Sequence, residues 1–480
     1  MNIIKHFKAK TVRTITTIVV IFLLLVGGVG YVGWYNLFRE VPQHFNSAEE
    51  QFKYGSIGTE QPQGIPYWIW LVLPRLFPDK LPGPGGYTSL GFTWEEGKET
   101  PVGISKKTVG FPRIGITCAV CHNATYRETV KDKPTIVAAG PSNKFDLQGY
   151  IRFLGATASD SRFTADYILD EIKYNHEFSW LEKQLYRFLI IPQTRKALIQ
   201  QKEDFAWMDS RPNWGPGRID PFNPVKFNTL KLPKDDTIGN SDMMPLWNQK
   251  QHQDFALHWD GLESSLTETV QTGAIGDGAT NQSLPVADLQ QVEDFIKELP
   301  APKYPFAVNR ELAAQGSQIF ANSCASCHAF GGERTGKIIP VEEVGTDRHR
   351  LDMWTQQAAD TYNQFAEGYS WDFDNLRKTN GYVSVSLDGI WLRAPYLHNG
   401  SVPSLKDLLE KPENRPKVFY RGFDVYDQEK VGFVSDGPEA ERVGFKYDTS
   451  VTANSNQGHV YGTDLSAGDK EALIQYLKTL

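Results

Sequence analysis

The chain has 480 residues, 40% hydrophobic and 22% charged, with a formal net charge of −7. This length allows two or three cores, the composition is that of a globular protein, and the acidic balance argues against nucleic acid as a partner.

At the N-terminus, Lys5, Lys8, Lys10 and Arg13 precede an uncharged run over 14–38 whose centre, 18–26, is strongly apolar. About 20 apolar residues span a hydrocarbon layer. Basic residues before the run and Tyr31, Trp34 and Tyr35 at its far end predict a cytoplasmic basic tail at 1–13 and a transmembrane anchor at 14–38. A cleaved signal sequence has a similar outline, with Gly27-Gly28-Val29-Gly30 as its cleavage region; the length and the trailing aromatics favour the anchor. Residues 40–110, dense in Pro, Gly and aromatic side chains, are expected to form an irregular, packed lead-in.

Next comes Cys118-Ala-Val-Cys121-His122, a Cys-x-x-Cys-His run. This spacing is that of a covalent haem c site: two thiols on one turn add to the two vinyl groups of a porphyrin, and the adjacent imidazole reaches the iron as proximal ligand. From 145 to 208 the pattern turns helical, and Tyr167, Ile168, Ile172, Trp180, Leu181, Leu185, Phe188 and Leu189, at three-to-four spacing, are expected in the core. A helix is predicted over 286–299 behind Pro285. The segment 301–309, rich in proline at its start, reads as a linker. A helix from Arg310 leads into the second run, Cys324-Ala-Ser-Cys327-His328, and a last helix begins near Ser466 with a capping box over Ser466 and Asp469. The two runs consume all four cysteines.

The expected fold is mainly α: two cytochrome c-like haem domains, 39–300 and 310–480, with long insertions and much irregular structure, plus one N-terminal transmembrane helix. Each domain carries one attachment site and ends in a similar amphipathic helix. Haem is attached outside the energy-transducing membrane, so the expected protein is a single-pass inner-membrane one with its haem domains in the periplasm.

Function then depends on the sixth position of each iron. For the second haem His459 is the preferred distal ligand, because it lies just before the final helix; His398 is the alternative, or else it lines a haem edge or holds a propionate. For the first haem the matching loop, 273–281, has neither His nor Met. An open or weakly held sixth position is expected; the Met243-Met244 and His258 segments could each supply a ligand but read equally well as packing, His252 and His258 are taken as structural rather than coordinating, and Glu263 and Gln271 are candidate proton donors.

The two attachment runs, Ala394-Pro-Tyr-Leu-His-Asn-Gly-Ser401 and the later His459 resemble the bacterial dihaem cytochrome c peroxidase superfamily. The closer similarity, over roughly 100–480, is to its rubber-oxygenase-like branch, with stretches such as Pro245-Leu-Trp-Asn248, His258-Trp-Asp-Gly261, Ser386-Leu-Asp-Gly-Ile-Trp391 and Gly458-His-Val-Tyr-Gly462. The resemblance implies a reactive first haem on His122 and an electron-relaying second haem on His328, of low potential if His459 is its ligand. It also implies a tryptophan between the haems, here Trp247, in a catalytic role; a place in a packed core is the alternative. An aromatic residue is expected over the reactive iron near Leu262. The leucine departs from that pattern and, with the anchor, argues against polyisoprene cleavage.

These residues predict an oxidoreductase with two covalently bound haem c groups, reacting with peroxide or oxygen and fed by a redox partner protein or a quinol-linked donor. The rival expectation is a membrane-tethered electron carrier with both irons six-coordinate. The sequence leaves open whether a calcium ion sits between the domains.

Overall fold

Helix α1, Asn2–Leu37, contains the apolar stretch Arg13–Leu37, of which none is buried. Its 25 residues extend about 37 Å at ~1.5 Å per residue, more than the ~30 Å of a hydrocarbon layer. Among the described residues it is the one helix long and apolar enough to cross a membrane. The computed structural model describes residues 2–369, 371 and 373–480, and only the backbone of 2–12 and 29; the side chains of Lys5, Lys8 and Lys10 lie outside the described residues. The protein is helix-rich, 44% helical, with extensive irregular chain.

The end of α1 is pinned. The amides of Phe38 and Arg39 bond the Trp34 carbonyl at 2.9 and 3.1 Å, and the chain enters β1 (Glu40–Val41). That strand joins β2 (Ile65–Pro66), β3 (Ile104–Val109) and β4 (Phe111–Ile116) in an antiparallel sheet of order β1-β3-β4-β2. Gly110, at the tip of the β3–β4 hairpin, donates to the Arg39 carbonyl at 2.8 Å. The expectation of an irregular lead-in over 40–110 is therefore corrected. The segment holds this sheet and the helices Ala48–Tyr54 and Tyr67–Leu76, and its prolines and glycines punctuate short elements rather than abolish them. Ile69, Trp70, Val72 and Leu73 of the second helix are fully buried, because it lies inside the largest core, where Trp70 stacks on Tyr87 at 4.4 Å and donates to Tyr150 Oη at 3.0 Å.

The helical stretch over 145–208 resolves into Leu147–Ser159, Ala165–Ile172, Trp180–Leu185, a wide π turn Tyr186–Ile190, and Ile191–Asp204. Its apolar positions are only partly core. Ile168 and Ile172 are buried, but Trp180 and Phe188 are 76% and 73% exposed, with Leu181 and Leu189 at 40% and 39%. A π turn adds a residue per turn and shifts the helical phase, so that Tyr186 and Ile190 face inward while the stripe Trp180, Leu181, Phe188 and Leu189 faces out.

Two helix pairs frame the attachment runs. Val286–Glu298 packs on Ala48–Tyr54, with Phe52 and Phe295 rings 5.4 Å apart. Arg310–Ser323 packs on Ala467–Leu477, with Phe320 and Tyr476 at 5.2 Å. Asn309 caps the first of this pair by accepting from the amides of Glu311 and Leu312, each at 3.1 Å. Ser466 caps the second by accepting from the Asp469 amide at 3.2 Å. At their contact a Cβ on Gly316 would fall on the Ala472 carbonyl and within 2.9 Å of Tyr476 Cβ, so this close approach needs glycine.

Gly316→Ala is accordingly expected to lower stability by about 1–3 kcal/mol, the usual cost of overpacking. Gln315→Ala, on the exposed side, should stay within about 0.5 kcal/mol. Thermal unfolding of both variants, followed by circular dichroism, checks the difference.

Candidate functional site

Each Cys-x-x-Cys-His run closes a helical turn: the His122 amide bonds the Cys118 carbonyl and the His328 amide the Cys324 carbonyl, both at 3.0 Å. Thr117 sets up the first turn. Its Oγ1 accepts from the Ala119 amide at 3.2 Å and donates to the Phe52 carbonyl at 3.2 Å, tying the run to helix Ala48–Tyr54. The second run starts at the C-cap of Arg310–Ser323. Their surroundings differ. Ala119 and Val120 are buried, whereas Ser326 is exposed and Tyr461, Val460 and Phe330 lie at the surface around it.

Both motif histidines give Nδ1 to a main-chain carbonyl, His122 to Met244 at 2.6 Å and His328 to Val385 at 2.7 Å. A ring oriented in this way keeps Nε2 for a metal. Burial pushes His122 down to about 4 and lowers His328, so both rings are neutral, as ligation requires. Burial also pushes the thiols of Cys118 and Cys324 up, to about 12 and about 11.

The two runs open on one cavity of 770 Å³. Ile151, Leu154, Leu246, Val270 and Ile296 line it in the first half of the chain, and Leu405, Leu408, Leu409, Leu473 and Leu477 in the second. A thiol pair and an oriented imidazole beside apolar walls fit haem c, whose porphyrin body is apolar and whose vinyl groups take the thiols.

Beside the second run the His459 ring stands 6.1 Å from that of His328, centroid to centroid. With each nitrogen about 2 Å from a shared metal and each ring centre about an ångström behind it, two axial imidazoles come out about 6 Å apart. Burial pushes His459 down to about 4, and its Nδ1 is buried with no hydrogen-bond partner among the described residues. Arg415 fixes the loop. Its guanidinium donates to the carbonyls of Asn456 (2.6 Å), Gly458 (2.8 Å), His459 (3.1 Å), Leu408 (3.2 Å) and Glu410 (3.0 Å). Sequence reasoning misses Arg415, since a lone loop arginine carries no spacing signal. His398 stacks on Tyr382 at 4.1 Å with Nε2 3.0 Å from its hydroxyl, and it also lines the cavity.

Beside the first run no aromatic or imidazole ring among the described residues stands against that of His122. His258 lines the cavity, and its Nε2 is 3.0 Å from Glu263 Oε2. Glu263 is buried and its other oxygen accepts from Thr272 at 2.8 Å. His252 Nε2 lies 2.8 Å from Ser386 Oγ, Met243 and Gln271 are buried, and Leu262 packs in the core with Phe222, Val225 and Trp354. Searching 273–281 for His or Met passes over Asp277. Asp277 is half-buried and lines the cavity, and desolvation of its carboxyl pushes it up to about 7.

Trp247 lies where the two halves of the site meet. It is 1% exposed, and Nε1 donates to the Asp388 carbonyl at 3.1 Å. Asn248 donates to Asp388 Oδ2 at 2.9 Å, and Arg393 binds the same carbonyl and Oδ1. Burial opposes ionisation of Asp388, but hydrogen bonds from His252 and Ser386 and the Arg393 charge outweigh it and hold the carboxyl well below its usual range. A Cβ on Gly389, at φ +63°, would come within 2.9 Å of the indole. Among the described residues no group of three or more His, Cys, Asp or Glu side chains is placed to hold a metal ion.

A family model described as "RoxA-like, cytochrome c-like" matches residues 381–420, the stretch that holds Val385, Asp388, Arg393, His398 and Arg415. The chain is also similar to two uncharacterised proteins of Sinorhizobium fredii. One, y4iM, is 29% identical over 51% of this chain and 60% of its own length; the other, y4iJ, is 30% identical over 39% of this chain and 42% of its own length. The chain thus spans less than two thirds of the length of either relative. The matched segment supports a relationship to the rubber-oxygenase-like cytochromes and suggests a haem c oxidoreductase.

Proposed function

We propose that the chain is a membrane-anchored dihaem c-type oxidoreductase of the dihaem peroxidase superfamily, built of cytochrome c-like units 39–300 and 310–480 joined by 301–309. In this reading α1 holds the units on the periplasmic side of the inner membrane. Cys118, Cys121 and His122 would hold a first haem, which would supply the site for peroxide or oxygen, and Cys324, Cys327, His328 and His459 would hold a second, which would supply an electron relay. One observation carries the reading: among the described residues the imidazole of His328 faces a second imidazole across 6.1 Å, and no second ring packs at that distance against His122.

When bound, the haems supply an iron that reduces the oxidant and an iron that stores one electron at a time. The chain's own residues then have separable tasks. Tyr461, Val460 and Phe330 present the second run to a redox partner protein or a quinol-linked donor, since they are half-exposed around it. Arg415 keeps His459 in place. Trp247, bonded between the loops that orient His122 and His328, couples the two halves. Reduction of peroxide to two waters consumes two electrons and two protons. Asp277, protonated near neutrality and open to the cavity, is the proton donor.

The rival electron carrier draws on His258, whose charge is felt at His122. Low-temperature EPR of the oxidised, haem-loaded protein separates the two: a high-spin ferric signal abolished by cyanide is expected, and two low-spin signals indifferent to cyanide would leave only the carrier.

Replacing His459 by Ala should convert the low-spin second haem to a high-spin, ligand-accessible one, whereas His398→Ala should leave it low-spin; the reverse pattern exchanges their roles.

Asp277→Asn should keep both haem spectra and cyanide binding but slow peroxide turnover by about 10²–10⁴-fold, the range of general acid catalysis. As pH rises through about 7, the unaltered protein loses this proton and its rate falls. The variant should be slow and flat over that range, and an undiminished rate in stopped-flow assays removes Asp277 from the reaction.

A further inference from the structure

The stripe on Trp180–Leu185 and its π extension is an amphipathic helix face without a partner. Trp180, Leu181, Phe188 and Leu189 are 76%, 40%, 73% and 39% exposed. Single exposed apolar residues are ordinary, but four on one helical rod mark a surface that takes a partner.

Its place in the fold identifies what covers it. The inner side of the same helical rod meets the β3–β4 hairpin, with Tyr186 and Phe111 rings 6.0 Å apart. Phe111 adjoins Gly110, whose amide holds the Arg39 carbonyl two residues beyond the end of α1. The last turns of α1 carry Tyr31, Trp34, Tyr35 and then Phe38, between 43% and 65% exposed, the aromatic belt of a helix leaving a bilayer. Only a few residues and one ring contact therefore separate the headgroup level of α1 from the stripe. Lys183 and Arg187 lie on the same rod, as expected of a helix lying in the interface plane.

We propose that this stripe rests in the outer leaflet of the bilayer that α1 crosses, so that the body is seated on the membrane at two places. The proposal rests on the anchor reading given above. The partner is lipid: acyl chains for Trp180, Phe188, Leu181 and Leu189, and phosphate for the exposed Lys183, Arg187 being already paired with Asp166 at 2.7 Å.

The test uses the full-length, haem-loaded protein in vesicles of phosphatidylethanolamine and phosphatidylglycerol. p-Benzoylphenylalanine replaces Phe188, or Leu24 within α1, or Val443 as an exposed apolar control (71% and 47% exposed for the latter two). The Soret band and circular dichroism check each variant for folding. After irradiation, mass spectrometry is expected to find lipid adducts at 24 and 188 and at least tenfold fewer at 443. Adducts at 24 but not 188 overturn the proposal and leave the anchor intact. No adducts at either position overturn both readings. A protein–protein crosslink at 188 without lipid adducts also overturns it, and assigns the stripe to a second polypeptide.

Discussion

The junction of Trp247 with Asp388 is the constraint on which the site depends. Met244, three residues before the indole, offers the carbonyl that orients His122; Val385, three before the aspartate, offers the one that orients His328. The indole N–H joins these loops directly, and Asn248, His252, Ser386 and Arg393 bond or neighbour the same carboxylate. A buried network of this kind is strong only while every member is satisfied. Loss of the carboxylate would strand the Arg393 charge, and unpairing a buried charge costs about 3–5 kcal/mol. The two imidazoles are therefore linked through one hydrogen-bonded junction, and their relative placement depends on it.

Around that junction the two ends of the cavity are built for different work. Thr117 ties the first run to helix Ala48–Tyr54, and among the groups that line the cavity there are the Asp277 carboxyl and a histidine already bonded to a glutamate. The second run lies near the surface and faces a histidine whose loop is clamped by Arg415. A guanidinium bonded to five carbonyls leaves its loop little freedom, which would suit the ligand role proposed for His459.

The two Cys-x-x-Cys-His runs were legible because the chemistry they suit fixes both residue type and spacing, and the structure gives each a closed turn with its histidine oriented. The helices over 286–299 and from Arg310 and Ser466 were legible from periodicity and caps. The rest escaped for physical reasons. Helix Ala48–Tyr54 plays towards the first run the part that Arg310–Ser323 plays towards the second, yet more than sixty residues of inserted hairpin and helix separate it from Cys118, so its role appears only in three dimensions. Trp180 and Phe188 carry a helical period, which says that one face is apolar but not what covers it. Arg415 and Asp388 bond partners far away in sequence, Asp277 is placed at the cavity by the fold, and no local pattern distinguishes any of them from surface charges.

The way α1 meets the body has a mechanical consequence. A flexible leash lets a domain sweep a hemisphere, so that its encounters with partners are averaged over all orientations. Here Glu40 and Val41 pair with Val109 and Thr108 immediately after the helix ends, and no slack chain intervenes. In the membrane-anchored arrangement proposed above, the body would spin about the bilayer normal and drift laterally but would not nod. An electron donor of the proposed kind would then meet it at one height above the lipid and from one range of angles, so that geometry would filter the choice of donor before any contact is made.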